Sequence, residues 1–201
     1  MDDFYHTIAQ AAKVENKVKG SRFIAETMLI ENVEDVAQCL QVIRKRERAA
    51  SHHCYAYKIG VSNDAEFKYS DDGEPNGTAG KPIYDCMTGR ELTNVLLVVT
   101  RYFGGTKLGT GGLARAYSDA AVLALDKSGV KTVYLTDTLS MQFDIKYYDQ
   151  FPKVLAKYAA EQKSSDFSDV VKIVVAVRKS KTKEFTDQVT NLTHGQIKIS
   201  R

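Results

Sequence analysis

The chain of 201 residues contains no tryptophan, only three prolines and only three cysteines. Cys39, Cys54 and Cys86 are odd in number and lack metal-ligand spacing, so neither a disulfide framework nor a structural zinc site is expected. No apolar run approaches the roughly 20 residues that a membrane-spanning helix needs. The acidic and polar first residues do not resemble a secretory signal. These absences predict a protein of the reducing cytoplasm with no membrane segment.

Charge of neither sign dominates, because the formal net charge is only +3. With 26% charged and 43% hydrophobic residues, the composition is that of an ordinary globular protein and excludes wholesale disorder. Residues 1–130 carry 16 basic and 17 acidic side chains, whereas residues 131–201 carry 12 basic and 8 acidic ones. The charge changes where a helical pattern ends in glycine and strand-like sequence begins. Two domains are therefore predicted, residues 1–135 and residues 136–201.

The first domain is predicted to be α+β. Alternating or continuous apolar residues predict strands at four places: 21–30, 52–61, 66–69 and 92–100. A turn at 62–64 joins the second and third of these strands. Asn32 can cap a helix that follows the first strand. A second helix, after the last strand, has a buried face of mostly small residues: Leu113, Ala116, Tyr117, Ala120, Ala121 and Ala124.

The second domain has the predicted order β-α-β-β-α-β, which is the ferredoxin-like pattern. Its first strand covers 138–147, and Asp149 is predicted to cap the following helix, with Pro152 in the first turn. A strand pair follows, with 170–177 as its clear member. The second helix is expected to stop at His194-Gly195, before a last strand over 196–200.

The most informative segment is residues 101–117, RYFGGTKLGTGGLARAY, which joins a buried strand to a helix. Glycines let backbone N–H groups converge, and a helix N-terminus adds positive potential, so this loop is predicted to bind phosphate or nucleic acid. Arg101, Lys107 and Arg115 can add full charges around its five glycines: Gly104, Gly105, Gly109, Gly111 and Gly112. The alternative is that the glycines serve only tight packing of strand against helix.

Two common phosphate motifs are excluded in this segment. Thr110 stands where the Walker A loop requires lysine. Ala114 stands where the dinucleotide fingerprint has its third glycine, and no acidic residue follows at the expected distance.

Three carboxylates, Asp71, Asp72 and Glu74, lie in a segment rich in turn-forming residues. They could hold a hard cation such as Mg²⁺. They could equally cap turns and pair with Arg101 or Arg115. Because no ligand spacing supports a metal, neither a metal site nor a cofactor is predicted, and the three are expected to line the surface beside the glycine loop.

His52, His53 and Cys54 begin a predicted strand. Alternation places His52 and Cys54 on one face and His53 on the other. A nucleophilic Cys–His pair is conceivable, but positions two apart on a strand are separated by roughly 7 Å, too far for a direct hydrogen bond. No catalytic residue is therefore predicted, and these three side chains are expected to line the same surface as the glycine loop.

Taken together, these segments resemble the IMPACT/YigZ family. The matching stretches are Ser51-His52-His53-Cys54, Asp71 to Pro75, Gly77 to Pro82, and Arg101 to Tyr117. The similarity covers roughly residues 15–130, and the second half looks like the smaller domain of the bacterial members. His53 departs from the family, which often has Asn there, and Thr106 stands where a larger aliphatic side chain is common.

The resemblance implies a left-handed βαβ first domain, as in ribonuclease PH and ribosomal proteins. It implies a second domain similar to domain V of elongation factor G. Eukaryotic relatives are translation regulators that compete for the activator of a starvation-responsive kinase and associate with ribosomes. RNA or the ribosome is therefore the expected partner, by fold analogy.

Three functions remain open from the sequence. The first is a non-enzymatic RNA- or ribosome-binding protein linked to translation regulation. The second is a phosphate-binding enzyme of the GHMP-kinase type that uses Mg²⁺ and a nucleotide, since residues 107–114 resemble that family's phosphate loop. The third is an adaptor that binds a protein partner through its second domain. The first is preferred.

Overall fold

The computed structural model describes residues 3–61 and 65–201, and the turn predicted at 62–64 lies outside them. The chain forms two compact units. The first is Tyr5–Val133, and the second is Tyr134–Arg201 together with Asp3 and Phe4. Each contains helices and antiparallel strands, which confirms a mixed α/β protein of two parts. Within the described ranges, no helix combines the length and apolar character needed to cross a membrane.

The first unit is built on a five-stranded antiparallel sheet in the spatial order β2-β3-β6-β4-β5. Its strands are β2 (Ala12–Val18), β3 (Ser21–Leu29), β4 (His52–Ile59), β5 (Glu66–Ser70) and β6 (Val95–Tyr102). The four predicted strands are confirmed to within a few residues, and β2 is additional. Two further unpredicted strands, β1 (Phe4–Ile8) and β7 (Val130–Tyr134), pair in a separate small sheet.

Three helices cover the two faces of this sheet. On one face lies α1 (Val33–Arg46), whose Val36, Leu40 and Ile43 belong to one apolar cluster with strand residues. The predicted Asn32 cap is confirmed, because the Asn32 side chain accepts a hydrogen bond from the Asp35 N–H at 2.9 Å. The other face carries α2 (Gly80–Thr88) and α3 (Gly109–Ser128), over the larger apolar cluster. Helix α2 was not predicted, because Gly80-Lys81-Pro82 favours a turn.

The second unit has the predicted element order. It comprises β8 (Thr136–Phe143), α4 (Phe151–Tyr158), β9 (Glu161–Phe167), β10 (Val171–Arg178), α5 (Thr182–Leu192) and β11 (Lys198–Ser200). The strands form one antiparallel sheet in the order β11-β8-β10-β9. Its apolar core cluster includes Leu139, Phe143, Phe151, Val175 and Phe185.

Two boundaries in this unit were predicted wrongly. Strand β8 ends at Phe143 rather than at residue 147, because a 3-10 helix over Ile145–Gln150 intervenes. Asp144 caps that helix by accepting a hydrogen bond from the Lys146 N–H at 2.9 Å. Asp149 lies inside the 3-10 helix and therefore does not cap α4, whereas Pro152 does lie in the first turn of α4.

Candidate functional site

The site lies where the central strand β6 runs out into the glycine loop. The register pairs Arg101 with Phe23 on β3 and with His52 on β4, so these three side chains share one face of the sheet. Helix α3 starts eight residues after Arg101 and packs over the same face. Side chains alternate between the two faces along each strand, and α3 packs over one of these faces. Residues at the ends of β3, β4 and β6 are thereby placed close together beneath the first turn of α3.

A buried ion pair forms the floor of the site. Arg101 Nη1 donates to Glu74 Oε1 at 2.5 Å, and both side chains are about 5% exposed or less. Tyr117 on α3 donates to the same Glu74 oxygen at 2.8 Å. Arg101 Nη2 is 3.3 Å from the Ser21 hydroxyl, while Arg101 Nε is buried without a hydrogen-bond partner among the described residues. A buried pair of charges is costly unless its hydrogen bonds are completed. The hydrogen bonds that complete this pair join β6, the segment that contains Glu74, α3 and β3, and so restrain all four.

Cys54 and His52 lie beside this pair but do not form a nucleophilic couple. Cys54 Sγ is 3.0 Å from the Asp71 carbonyl oxygen and 3.3 Å from the Tyr117 hydroxyl. His52 Nδ1 is 2.8 Å from the Asp72 carbonyl oxygen, and its Nε2 is 3.8 Å from Glu74. Burial raises the pKa of the Cys54 thiol far above its ordinary value, so the thiolate that catalysis needs is suppressed.

The acidic turn is held by its own backbone. Asp71 accepts hydrogen bonds from the N–H groups of Ala79 and Gly80 at 2.9 and 2.8 Å, and so caps α2 from a distance. It also accepts from the Gly77 N–H at 2.9 Å. Asp72 accepts from the His53 N–H at 2.6 Å and pairs with Arg44 at 3.0 Å. All three carboxylates of the turn are thus engaged by the protein, and no metal-binding group of His, Cys, Asp and Glu occurs in the part of the chain that the structure describes.

A pocket of about 360 Å³ opens beside the ion pair at the start of α3. Its polar lining is provided by Glu74, Arg101, Lys107 and Thr110. Its apolar lining is provided by Pro75, Phe103, Leu108 and Leu113, with Gly109 between the two. No side chain of residues 3–61 or 65–201 caps the first turn of α3, so the N–H groups there retain hydrogen-bonding capacity. We name this cavity the α3 pocket.

The five loop glycines have different reasons to be glycine. At Gly104 a Cβ would lie 1.9 Å from the Gly20 carbonyl carbon, so close backbone packing requires it. Gly105 and Gly109 have positive φ angles of 84° and 71°, which favour glycine. Gly112 has only Leu108 near its Cβ position, at 3.2 Å. Gly111 has neither a positive φ nor any atom within 4 Å of that position, so packing does not explain it.

The three cations predicted around the loop lie in different surroundings. Arg101 is neutralised by Glu74 and lies 5.5 Å from the centroids of the Phe23 and Phe103 rings. Lys107 is exposed and lines the α3 pocket. Arg115 is exposed one turn further along α3 and is not among the pocket-lining residues. The pocket therefore combines helix N–H groups with Lys107, which has no ion-pair partner among the described residues, and both groups favour a negative charge nearby.

His53 does not join the other predicted residues. Its side chain points to the opposite face of the sheet, where Nδ1 is 3.1 Å from the Thr100 hydroxyl. It is 8% exposed, and burial lowers its pKa, while the Asp72 charge opposes that effect. His53 contributes to the acidic turn only through its backbone N–H.

Two residues of the site were missed from the sequence. Tyr117 was assigned only to the packing face of its helix, yet its hydroxyl reaches Glu74. A buried tyrosine needs a hydrogen-bond partner for its hydroxyl. A tyrosine among the small residues of this helix face could therefore have been recognised as a member of the site. Ser21 contacts both Arg101 and the Gly104 N–H, at 3.3 and 3.2 Å. No pattern in the sequence indicates that contact.

Fold and site together define a class: a mixed α/β protein of two units with a glycine-rich pocket at a helix start. Comparison with known proteins gives this class its family. The family model described as Impact N-terminal domain matches residues 19–125, and that described as Domain of unknown function (DUF1949) matches residues 148–196. The IMPACT family member YvyE of Bacillus subtilis is 34% identical over 195 residues, which cover 97% of this chain and 89% of the relative.

The IMPACT family member YigZ of Escherichia coli is 30% identical over 192 residues, covering 95% of this chain and 94% of that protein. A solved structure described as a hypothetical protein superposes with a TM-score of 0.69 and 28% identity, covering 99% of this chain and 97% of its own. The chain belongs to the IMPACT family.

Proposed function

We propose that this protein is a non-enzymatic RNA-binding protein of the cytoplasm that acts in translation regulation and holds an RNA phosphate in the α3 pocket. The observation that carries the proposal is the pocket itself, in which Lys107 and the uncapped first turn of α3 face a common space. Membership of the IMPACT family supports the link to translation, because translation regulation is what the resemblance to its eukaryotic members implies.

The chemistry of the pocket suits one phosphate of a larger chain. A helix start and a lysine attract an anion, and the Arg101 side chain adds positive charge to the lining of the pocket. Glu74 also lines the pocket, and the hydrogen bonds that it accepts from Arg101 and Tyr117 both go to Oε1. Its other oxygen suits a hydroxyl donor such as the ribose 2′-OH, which distinguishes RNA from DNA.

Two observations weigh against catalysis at the same place. The thiol of Cys54 is buried with a raised pKa, and the carboxylates of the acidic turn are engaged by backbone groups or by arginines. The apolar wall formed by Phe103, Leu108 and Leu113 nevertheless favours a second candidate, an enzyme that binds a nucleotide and Mg²⁺. A nucleotide base can pack on such a wall, whereas an RNA phosphate alone does not need it.

We further infer the fold types of the two domains. The order β11-β8-β10-β9 supports a ferredoxin-like second domain, residues 136–201, similar to domain V of elongation factor G. The unit β3-α1-β4, with β6 between its two strands, supports a βαβ-type first domain, residues 1–135. The second domain remains available for a protein partner.

The test is binding of the full-length chain to ribosomal subunits and to single-stranded RNA across a salt series. Binding should weaken as salt rises, and Lys107→Ala should reduce affinity about tenfold, the value of one charge-assisted hydrogen bond. Lys45→Ala is the matched control, because Lys45 is exposed on α1, across the sheet from the pocket. Absence of binding at low salt, or equal effects of the two variants, would overturn the proposal.

The same variants separate the second candidate. A saturable thermal shift with ATP or GTP that requires Mg²⁺ and is lost in Lys107→Ala would favour the nucleotide enzyme over RNA binding. RNA binding without any nucleotide shift is the result that the proposal expects.

A further inference from the structure

The second unit contains a concave basic site that is separate from the α3 pocket. A pocket of about 370 Å³ lies between the end of α4 and the start of α5. Its lining consists of Lys157, Tyr158, Ala159, Arg178, Lys181 and Glu184. Three cations therefore face one carboxylate across a small cavity. We call it the α4–α5 pocket.

Neutral groups hold two of these cations in place. Lys157 Nζ donates to Gln188 Oε1 at 2.6 Å, and the same oxygen accepts from the Tyr158 hydroxyl at 2.8 Å. The Arg178 guanidinium lies 3.2 Å from the centroid of the Tyr134 ring. An amide and an aromatic ring position a cation without cancelling its charge. The fold thus fixes the positions of Lys157 and Arg178 without neutralising their charges.

The acidic groups near the pocket compensate only part of this charge. Glu184 is 3.3 Å from Lys181, one helical turn away, so these two form a surface pair. Asp3 lies within electrostatic reach of Arg178. Its carboxylate, however, accepts hydrogen bonds from Ser180, through the hydroxyl at 2.5 Å and the N–H at 3.3 Å. Neither Lys157 nor Arg178 has a carboxylate within salt-bridge distance in the described ranges.

From this geometry we propose that the α4–α5 pocket is a phosphate-binding site. Arg178 presents a planar set of donors suited to phosphate oxygens, Lys157 adds a point charge, and the Tyr158 ring closes one side. The phosphate can belong to an RNA backbone or to a small phosphorylated compound. The site goes beyond the function proposed for the α3 pocket and does not depend on it, because all of its residues lie in the second unit.

The test follows backbone amide NMR signals of the full-length chain during titration with inorganic phosphate and, separately, with a short oligouridine. Signals of Ala159 and Lys181 should move saturably with phosphate. Arg178→Gln should weaken phosphate binding at this site about tenfold. Lys172→Gln, about 20 Å along the same strand, should leave it unchanged. Lys157→Gln, at an exposed position of α4, keeps the Arg178–Tyr134 contact and should also weaken phosphate binding.

The outcomes separate the two ligands and the two pockets. Oligouridine that shifts the same signals, and that phosphate displaces, supports an RNA backbone, whereas shifts with phosphate alone support a small phosphorylated compound. Unmoved Ala159 and Lys181 signals, or equal affinity in Arg178→Gln and Lys172→Gln, would overturn the proposal. Signals of Thr110 and Gly111 report the α3 pocket independently, so failure at one site is distinguishable from failure at the other.

Discussion

The two units of this protein place their charges differently. In the first unit Arg101 and Glu74 form an ion pair with both side chains 5% exposed or less. In the second unit each ion pair within the described residues has at least one exposed partner, as in Lys163–Glu161 at 2.7 Å, with side chains 49% and 69% exposed. The core of that unit buries no charged side chain among the described residues, and its buried polar residues are Thr182 and Thr193. The first unit buries charge where a pocket opens, and the second keeps it on the surface.

This difference separates two uses of charge. A buried pair contributes little net stability against an apolar alternative but fixes geometry, and losing one partner is expensive. An exposed pair contributes little to stability and little to fixing geometry, because solvent and salt screen the attraction between its charges. Charge in the first unit therefore positions the elements around the α3 pocket, whereas charge in the second unit is available to a ligand.

The largest expected effect comes from breaking the buried pair. Arg101→Met should lower the free energy of unfolding of the first unit by about 3–5 kcal/mol, because Glu74 is left buried without its cation. Urea denaturation, followed by NMR signals from each unit, measures it. The double variant Arg101→Met/Glu74→Gln should recover most of the loss. A single variant as stable as the native chain would show that the pair is not the structural floor of the site.

A partly buried carboxylate of the first unit, Glu47, gives an acid-dependent effect. Glu47 is 2.9 Å from the Tyr102 hydroxyl, 3.0 Å from Arg46 and 3.2 Å from Lys13. Burial opposes ionisation, but the hydrogen bonds of these donors prevail and lower the pKa of Glu47 to about 2. Because the folded pKa lies below the unfolded value, this stabilisation is present above about pH 4.5 and is lost as pH falls toward 2.

Glu47→Gln should therefore cost on the order of 2 kcal/mol at pH 7 and flatten the fall in stability between about pH 4.5 and 2. Urea denaturation at a series of pH values measures both quantities. A variant with the native acid dependence would mean that other carboxyl groups determine it.

A smaller effect tests the glycine that packing does not explain. Gly111→Ala should raise stability by about 0.5 kcal/mol, because alanine is the better helix former and no atom lies within 4 Å of the new Cβ. It should nevertheless weaken RNA binding, because the methyl group narrows the approach to the start of α3. Thermal unfolding and an RNA titration measure the two quantities. An unchanged affinity of Gly111→Ala for RNA would show that Gly111 does not contribute to RNA binding.

The smallest effect belongs to the second unit. Lys163→Ala removes an exposed ion pair and should change the free energy of unfolding by less than about 0.5 kcal/mol. The same denaturation assay measures it. A loss comparable with that of Arg101→Met would remove the contrast between the two units.

Most of the fold could be predicted because it follows from local pattern. Asn32 and the apolar spacing of α1 predict that helix, and the continuous apolar run of β6 predicts a central strand. Strand β9 left a weak signal because all of its residues are exposed. The sequence of helix α2 resembles a turn, because the residue that caps the helix, Asp71, lies eight or more residues earlier in the chain. Long-range partners of this kind leave no local pattern.

The residues that form the site could largely be predicted from the sequence, but the contacts among them could not. The glycine loop and its cations indicate anion binding, and pairing of Glu74 with Arg101 was one of two open alternatives. The sequence predicted no metal there, but it did not indicate which carboxylate pairs with Arg101, because that choice depends on which residues the register aligns. It placed Tyr117 on a packing face, since the reach of its hydroxyl to Glu74 depends on how closely α3 approaches the sheet.

The proposed function depends on binding of an RNA phosphate at the start of α3. The most direct measurement is an amide NMR titration of the full-length chain with a short oligouridine at low salt, following Thr110, Gly111 and Gly112. We expect saturable shifts of these three signals, with affinity weakened about tenfold in Lys107→Ala and unchanged in Lys45→Ala. Signals that stay in place while the oligonucleotide saturates another surface, or an oligonucleotide that does not bind, would contradict it.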